Sequence, residues 1–517
     1  MKLSNLARSG SIVGLMTLIS RVLGFIRDQV LAIVFGAGAQ TDVFLVAFKI
    51  PNFLRKLFAE GAFAQAFVPV FTEYKETRSR EALQDLAAHV SGTLAALLLI
   101  VSTLGVMLSP LLIMLFAPGF MDEPERFDLA THMLRITFPY LFFISLVAYA
   151  GSMLNTFGKF AIPSFTPVLL NICMIGAALL LSPHFETPIT ALAWGVFIAG
   201  AAQLGLQIPF LRQIGLLPRP RWGWKHPGVQ RILKLMAPAI FGSSVAQINL
   251  LLDTIIASFL TAGSLSWLYY SDRLMEFPLG LLGVTLGTII LPRLSREHSL
   301  KSTEQFERTL DWALKLVLIL GLPSAIGLIA LAEPMLLTLF GYGEFKPHDA
   351  TMASYSLIAY STGLPAFLLI KVFAPAFFAR QNTRTPVRIG IIALIANMGY
   401  NLLFVLPMIW LDFIAPHTGL AIASALAAWQ QAFMLYRKLA ADGIYRMPET
   451  LITFIWRVLP ALGVLCLTLW ACSDIQWQSK DAAGRVSSLL WVILAGMGAY
   501  LATLLVVGIR PRHLTSP

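Results

Sequence analysis

Charge is scarce in this sequence. Aspartate, glutamate, lysine and arginine make up 13% of its 517 residues, against ~25% in soluble domains, so a soluble globular fold is excluded. Cysteine is scarcer still. Cys173, Cys466 and Cys472 form no CxxC pair and all fall in apolar runs, which excludes a disulfide framework and marks them as small buried hydrophobes. The eight histidines show neither HxxxH nor HExxH spacing, so no zinc motif is expected. No GxxxxGK[ST] loop occurs, which leaves no Walker site for ATP.

What is abundant is hydrocarbon. Hydrophobic residues reach 57% and the mean hydropathy is +0.75. Runs of ~20 apolar residues, each able to cross a bilayer core of ~30 Å, recur along the whole length. The expected fold is an all-α polytopic membrane protein with about fourteen transmembrane helices. They are placed near 11–35, 42–70, 88–116, 132–155, 163–182, 189–210, 235–260, 266–291, 312–332, 352–378, 388–408, 418–436, 452–472 and 487–509. Residues 11–19 resemble the apolar core of a signal peptide. Arg21 interrupts that run and no small-residue cleavage site follows, so an uncleaved first helix is expected.

The net charge of +11 invites a nucleic-acid reading, but its distribution argues otherwise. With the N-terminus in the cytoplasm, the inner segments, counted with Arg388 at the inner edge of its span, hold 24 Lys and Arg and the outer segments four, Arg126, Lys346, Lys480 and Arg485. That asymmetry obeys the positive-inside rule and puts both termini in the cytoplasm. Nucleic acid is not needed to explain it.

The chain also looks duplicated. RDQVLAIVFGAGAQTD (27–42) lies over LDTIIASFLTAGSLSW (252–267) at an offset of 225, and Pro69/Pro292 and Pro163/Pro386 coincide at 223. Six spans precede the basic loop at 211–234 and six follow, so both halves sit the same way up. This is the parallel-repeat plan of transporters, with a substrate site between the halves. It predicts an N-lobe over 1–215, a C-lobe over 216–440, and two further helices over 441–517. The two six-helix lobes would be pseudo-symmetric around a central cationic cavity.

Six basic residues fall well inside predicted spans: Arg21, Arg27, Lys49, Arg55, Lys56 and Arg273. Another four, Arg135, Lys315, Lys371 and Arg457, lie where they can snorkel toward helix ends. Each charge at the bilayer centre costs ~2.5–3.5 kcal/mol. Six facing lipid would cost ~15–20 kcal/mol, more than the ~5–15 kcal/mol net stability of a typical protein. They must face a wet cavity or partner charges. Asp28, Asp42, Glu60, Asp272 and Glu276 are available for pairing, and structural ion pairing alone is the competing reading. Arg21, Gly24 and Asp28 share a helical face in SRVLGFIRD, with Arg27 beside them. Lys49, Asn52 and Lys56 make another stripe in KIPNFLRKLFAEGAF, where Glu60 can reach Lys56 at i+4. Gly24 and Pro51 permit bends where a cavity re-satisfies the backbone. An arginine-rich cavity suits a diphosphate, because guanidinium forks hold phosphate oxygens bidentately at any accessible pH.

SRVLGFIRD, FGAGAQTDVFLVAFKIPNFLRKLFAEGAFAQAFVP, LNTFGKFAIPSFTP and YYSDRLMEFPLGLLGVTLGTIILP resemble the MurJ (MviN) lipid II flippases of the multidrug/oligosaccharidyl-lipid/polysaccharide exporter superfamily. The likeness runs over nearly the whole chain. It implies two lobes around a V-shaped cavity, not an enzyme, and alternating access that carries undecaprenyl-diphosphate-linked disaccharide-pentapeptide to the outer leaflet of the bacterial cytoplasmic membrane. The precursor would feed peptidoglycan synthesis, with the cell-wall synthesis machinery as a further partner. Family-essential charges map onto Arg21, Arg27, Asp42, Arg55, Lys56, Arg273 and Glu276. Family members commonly have arginine where Lys56 stands, and lysine keeps the charge without the fork. The last two helices would form a groove for the lipid tail. Some relatives hold sodium in the second lobe, a pattern that Asp253, Asn397 and Asn401 fit; a helix–helix hydrogen-bond cluster fits the two asparagines as well. No cofactor is expected beyond a coupling ion, sodium or proton, or the membrane potential.

Two alternatives remain at this level. Another diphosphate-linked glycan would present the same charges. A membrane enzyme acting on a polyprenyl-phosphate sugar would need acids on an edge loop, and Asp122, Glu123 and Glu125 are the available set.

Overall fold

The computed structural model describes residues 3–57 and 63–510, among which there are helices and no strand. Ten stretches of the described residues are long and apolar enough to cross a membrane. The remaining predicted spans, 11–35, 42–70, 235–260 and 266–291, are occupied by helices α1, α2 with α3, α10 and α11, whose bounds follow. Packing divides the chain into two compact units, 1–265 and 266–517.

The first unit contains α1 (Leu3–Phe35), α2 (Ala39–Leu54), α3 (Ala64–Thr77), α4 (Arg80–Met107), α5 (Ser109–Phe116), α6 (Pro124–Thr137), α7 (Tyr140–Thr156), α8 (Ala161–Gly176), α9 (Thr190–Gln213) and α10 (Pro227–Ser258). Proline supplies much of the punctuation. Pro124 and Pro227 open their helices, where a missing N–H costs nothing, and Pro139 separates α6 from α7. α1 packs on α8, α2 on α6, and α10 on α3. A ladder of Phe63, Phe67 and Phe71 at i, i+4, i+8 stacks at 5.2 and 4.9 Å. Tyr149 of α7 meets Phe63 and Phe67 edge-on and donates its hydroxyl to the Ala87 carbonyl at 2.8 Å. These rings, with Leu83, Leu86, Met153 and Leu154, form a core that seats α3, α4 and α7 against each other.

α2 continues as a helix through Pro51. The proline cannot donate to the carbonyl four residues back, and that orphaned group, Ala47, accepts instead from the Thr137 hydroxyl of α6 at 2.8 Å. The α geometry gives way only beyond Leu54, where residues 55–57 open into a wider π turn. Such turns are frequent at functional sites.

The second unit contains α11 (Ser264–Ser299, entered just before the division), α12 (Thr303–Leu316), α13 (Leu322–Ala330), α14 (Ala332–Leu339), α15 (Pro347–Phe378), α16 (Arg384–Trp410), α17 (Thr418–Ala441), α18 (Glu449–Ala471) and α19 (Ala482–Val506). α15 packs on α13, α14 and α17, and α16 packs on α17. α18 and α19 pair and dock on α13 and α14 through Val458, Leu465, Val492 and Leu504. The Tyr500 hydroxyl donates to the Ile319 carbonyl at 2.9 Å and fixes their register. Their far sides expose Trp456, Trp470, Trp491 and Leu494, a surface suited to hydrocarbon and not to water. Helix starts follow the sequence repeat: α2 and α11 begin 225 residues apart, α8 and α16 begin 223 apart.

His417 caps α17 from a fully buried position, its Nε2–H donating to the Met352 carbonyl at 3.1 Å. Nδ1 has no partner among the described residues, so a second proton there would be buried uncompensated. Burial accordingly pushes its pKa down from 6.5 to about 4. Unfolding then takes up a proton below pH 6.5, so this contribution is complete above 6.5 and is lost as pH falls toward 4. We expect the melting temperature to fall between pH 7 and 5, and less steeply in His417→Gln; parallel slopes would show that other groups are responsible. His348 and Asp349 flank the same Trp267 ring, Asp349 accepting its indole N–H at 3.0 Å, and belong in the comparison.

Candidate functional site

α1 and α8 lie close where Gly24 faces the Asn171 amide, 3.6 Å from the place a Cβ would take. One turn on, Arg27 is buried. Its Nε and Nη2 donate to Asp28 Oδ1 at 3.0 and 2.7 Å, and its Nη1 donates to Asn171 Oδ1 at 3.0 Å. Asn171 Nδ2 donates in turn to the Ser20 carbonyl at 3.1 Å, tying the asparagine to α1 at two levels. Asp28 is 2% exposed, so the guanidinium is what keeps a carboxylate tolerable there. Arg21, on the same helix, is exposed and has no ion pair among the described residues.

Asp42 is fully buried in the first turn of α2. Its Oδ2 accepts from Arg126 Nη2 at 3.0 Å and from the Gly263 N–H at 2.7 Å. Gly263 has φ of +98°, a conformation that side chains resist and glycine adopts freely. Arg126 also reaches Glu123 at 3.3 Å and lies over the Phe120 ring at 4.1 Å. Nearby, the Gly119 N–H donates to Ser258 Oγ at 3.0 Å, at an approach so close that a Cβ on Gly119 would sit 2.3 Å from the Ser258 carbonyl. A buried ion pair thus ties the start of α2 to α6 and to the Gly263 turn.

Lys49 is half-buried and Lys56 exposed. Arg55, in the π turn, donates its Nε to Asn52 Oδ1 at 3.1 Å. Glu60 lies outside the described residues. In the second unit Arg273 bridges Glu276 at 3.1 Å one turn away, donates to the Tyr269 hydroxyl at 3.4 Å, and lies over its ring at 5.0 Å. Asp272 beside it is half-buried. Asn397 and Asn401 are buried on α16, with Asn401 Nδ2 donating to Asn397 Oδ1 at 3.2 Å; Asp253 is half-buried on α10 of the first unit. Of the acidic loop, Glu123 is engaged with Arg126, while Asp122 and Glu125 are exposed.

Sequence reasoning missed two participants. Asn171 is a lone amide in an apolar helix, and that isolation is itself a signal, since a polar group at membrane depth needs a partner. Arg126 counts only as a charge of an outer loop until tertiary packing brings it to Asp42.

Long apolar helices, with the buried ion pairs Arg27–Asp28 and Asp42–Arg126 among them, define a polytopic membrane protein. The solved "Inward-facing conformation of a multidrug resistance MATE family transporter of the MOP superfamily" shares this fold, with a TM-score of 0.67 over 82% of this chain and 95% of that one, at 12% identity. A structure titled "Lipid II flippase MurJ, inward closed conformation" is more similar, with a TM-score of 0.78 over 96% and 98% of the two chains at 28% identity. In sequence, a protein of Haemophilus influenzae named "Probable lipid II flippase MurJ" is 49% identical over 514 residues, 96% of this chain and 99% of its own. The family model described as lipid II flippase MurJ matches residues 31–493. The chain belongs to the lipid II flippase MurJ family.

Proposed function

We propose that this protein flips lipid II, the undecaprenyl-diphosphate-linked peptidoglycan precursor, from the inner to the outer leaflet of the bacterial cytoplasmic membrane. Full-length likeness to that family carries the reading. Arg21, Arg27 and Arg273 take the diphosphate, with Arg55 and Lys56 supporting them, while the polyprenyl tail stays in lipid beside α18 and α19. Arg27 and Arg273 already hold carboxylates, Asp28 and Glu276. A diphosphate would therefore exchange one anionic partner for another at Arg27 and Arg273, both of which are compensated in the empty protein. Asp28, Asp42, Lys49, Asp272 and Glu276 act as such pairing groups through an alternating-access cycle. Both termini lie in the cytoplasm, as the lysine and arginine asymmetry directs. The membrane potential or an ion gradient drives the cycle, at ~2.3 kcal/mol per charge per 100 mV. Asp253, Asn397 and Asn401 are the residues a sodium ion would use. The chain performs no covalent chemistry.

Rapid depletion of the protein in its own cells tests this. The total diphosphate-linked precursor should hold or rise, while the fraction open to an externally added hydrolase collapses. A parallel fall of both pools would make the protein a synthetic enzyme instead. No change in either would point to another diphosphate-linked glycan as the substrate.

A further inference from the structure

Three ligand-bearing side chains outside the transport residues meet where α4 approaches the start of α10. Asp85 and His89 stand at i, i+4 on α4 and so share a face. His226 is the N-cap of α10, its Nδ1 accepting the Gly228 N–H at 3.1 Å. The segment leading to it is fastened along α4. The Arg221 N–H donates to the Ala88 carbonyl at 2.9 Å and the Gly223 N–H to Thr93 Oγ1 at 3.0 Å. Its backbone passes so close to Gly92 that a Cβ there would meet Arg221 backbone atoms at 2.2–2.4 Å. His226 is therefore held in place against α4.

The two imidazoles stack at 4.9 Å with planes 16° apart. Each reaches a different oxygen of Asp85, His89 Nδ1 to Oδ1 and His226 Nε2 to Oδ2, both at 3.3 Å. All three residues are half-buried, and one ligand atom from each lies within 4.8 Å of the others. A groove of about 710 Å³ lined by Trp222, Trp224 and Lys225 leads to them.

We propose that Asp85, His89 and His226 bind one borderline divalent cation, of which zinc is the type, and that the ion clips α10 to α4. Two imidazoles and one carboxylate, with a water in the fourth position, suit such an ion, whereas calcium and magnesium prefer all-oxygen sets. The proton positions fit. The Asp85 carbonyl accepts the His89 Nδ1 proton at 2.9 Å, which leaves Nε2 of that ring able to ligate. Gly228 occupies Nδ1 of His226, so the free ring carries its proton on Nε2, facing the carboxylate. A metal takes that place and releases one proton to solvent. Ligand atoms around a metal with 2.0–2.1 Å bonds lie ~3.3 Å apart, so from a cluster whose atoms lie within 4.8 Å of one another, binding draws them together by at most about 1.5 Å. Histidine spacing alone hides this set, because it pairs a histidine with an aspartate and takes its third member from 137 residues away.

The full chain, purified in detergent and stripped with chelator, is titrated with zinc by calorimetry and followed by thermal melting. One ion should bind per chain and raise the melting temperature. Asp85→Asn and His89→Ala should abolish both effects while melting like the metal-free parent; His226→Asn, which keeps a capping acceptor, should do the same. X-ray absorption of the zinc-loaded parent should count two imidazole nitrogens and needs no variant to fold. Absence of saturable binding, unchanged binding in the variants, or a shell without two imidazoles would each overturn the site.

Discussion

Lysine in place of Arg27 is expected to cut lipid II flipping about ten- to a hundredfold while leaving the protein folded. Lysine keeps a positive charge beside Asp28, so the buried carboxylate retains a partner. What it loses is the fork: the Nη1 bond to Asn171 and the second donor that a bidentate phosphate contact requires. One charge-assisted hydrogen bond is worth ~1.5–3 kcal/mol, and each 1.4 kcal/mol is about tenfold. Alanine is the less informative change. It strands Asp28 in the interior, and breaking a buried pair costs ~3–5 kcal/mol of folding stability, so lost transport and lost protein would be confounded. The readout is precursor exposure at the outer surface per folded molecule, measured in cells whose only copy is the variant. Wild-type exposure by Arg27→Lys, with a lowered melting temperature instead, would make the arginine purely structural.

Asp42→Ala should be among the most damaging single changes to the fold itself, at about 3–5 kcal/mol. The Arg126 side chain is 4% exposed and would keep, as its carboxylate among the described residues, Glu123, which is itself 58% exposed and therefore a weak partner. The Gly263 N–H would lose its acceptor as well. Against a net stability of ~5–15 kcal/mol, that empties much of the folded pool. The double variant Asp42→Ala/Arg126→Met removes both charges and should recover most of the loss, short of the ~1 kcal/mol for the Gly263 hydrogen bond. Membrane yield and thermal melting of the purified protein report it. A double variant as damaged as the single would show that the aspartate's importance lies elsewhere than in this pair.

The spans were legible in hydropathy, but their starts were not: the runs expected from 132 and 235 open about eight residues earlier, at Pro124 and Pro227, where proline begins a helix outside the apolar window. The repeat offsets also survive as helix starts, at Ala39 and Ser264 and again at Ala161 and Arg384. The buried charges were legible as a problem, since hydrocarbon does not tolerate them, but not as a solution. Nothing local to Arg27 points to Asn171, and nothing local to Asp42 points to Arg126, because those partners arrive only when separate helices pack. Pro51 shows the same limit. The sequence marks a lost backbone donor, and only the fold shows Thr137 supplying its replacement.

The bond between Arg27 and Asn171 also sets a schedule for making the protein. Its partners are 144 residues apart in the chain, and a ribosome adding ~5–20 residues per second needs roughly 7–30 s to pass from one to the other. During that interval α1 carries Arg21, Arg27 and Asp28 with no eighth helix to receive them. The Asp28 partner of Arg27 lies on α1 itself, so what waits for α8 is the second bond, from Nη1 to Asn171, and that end of α1 completes its hydrogen bonding only once residue 171 has been made.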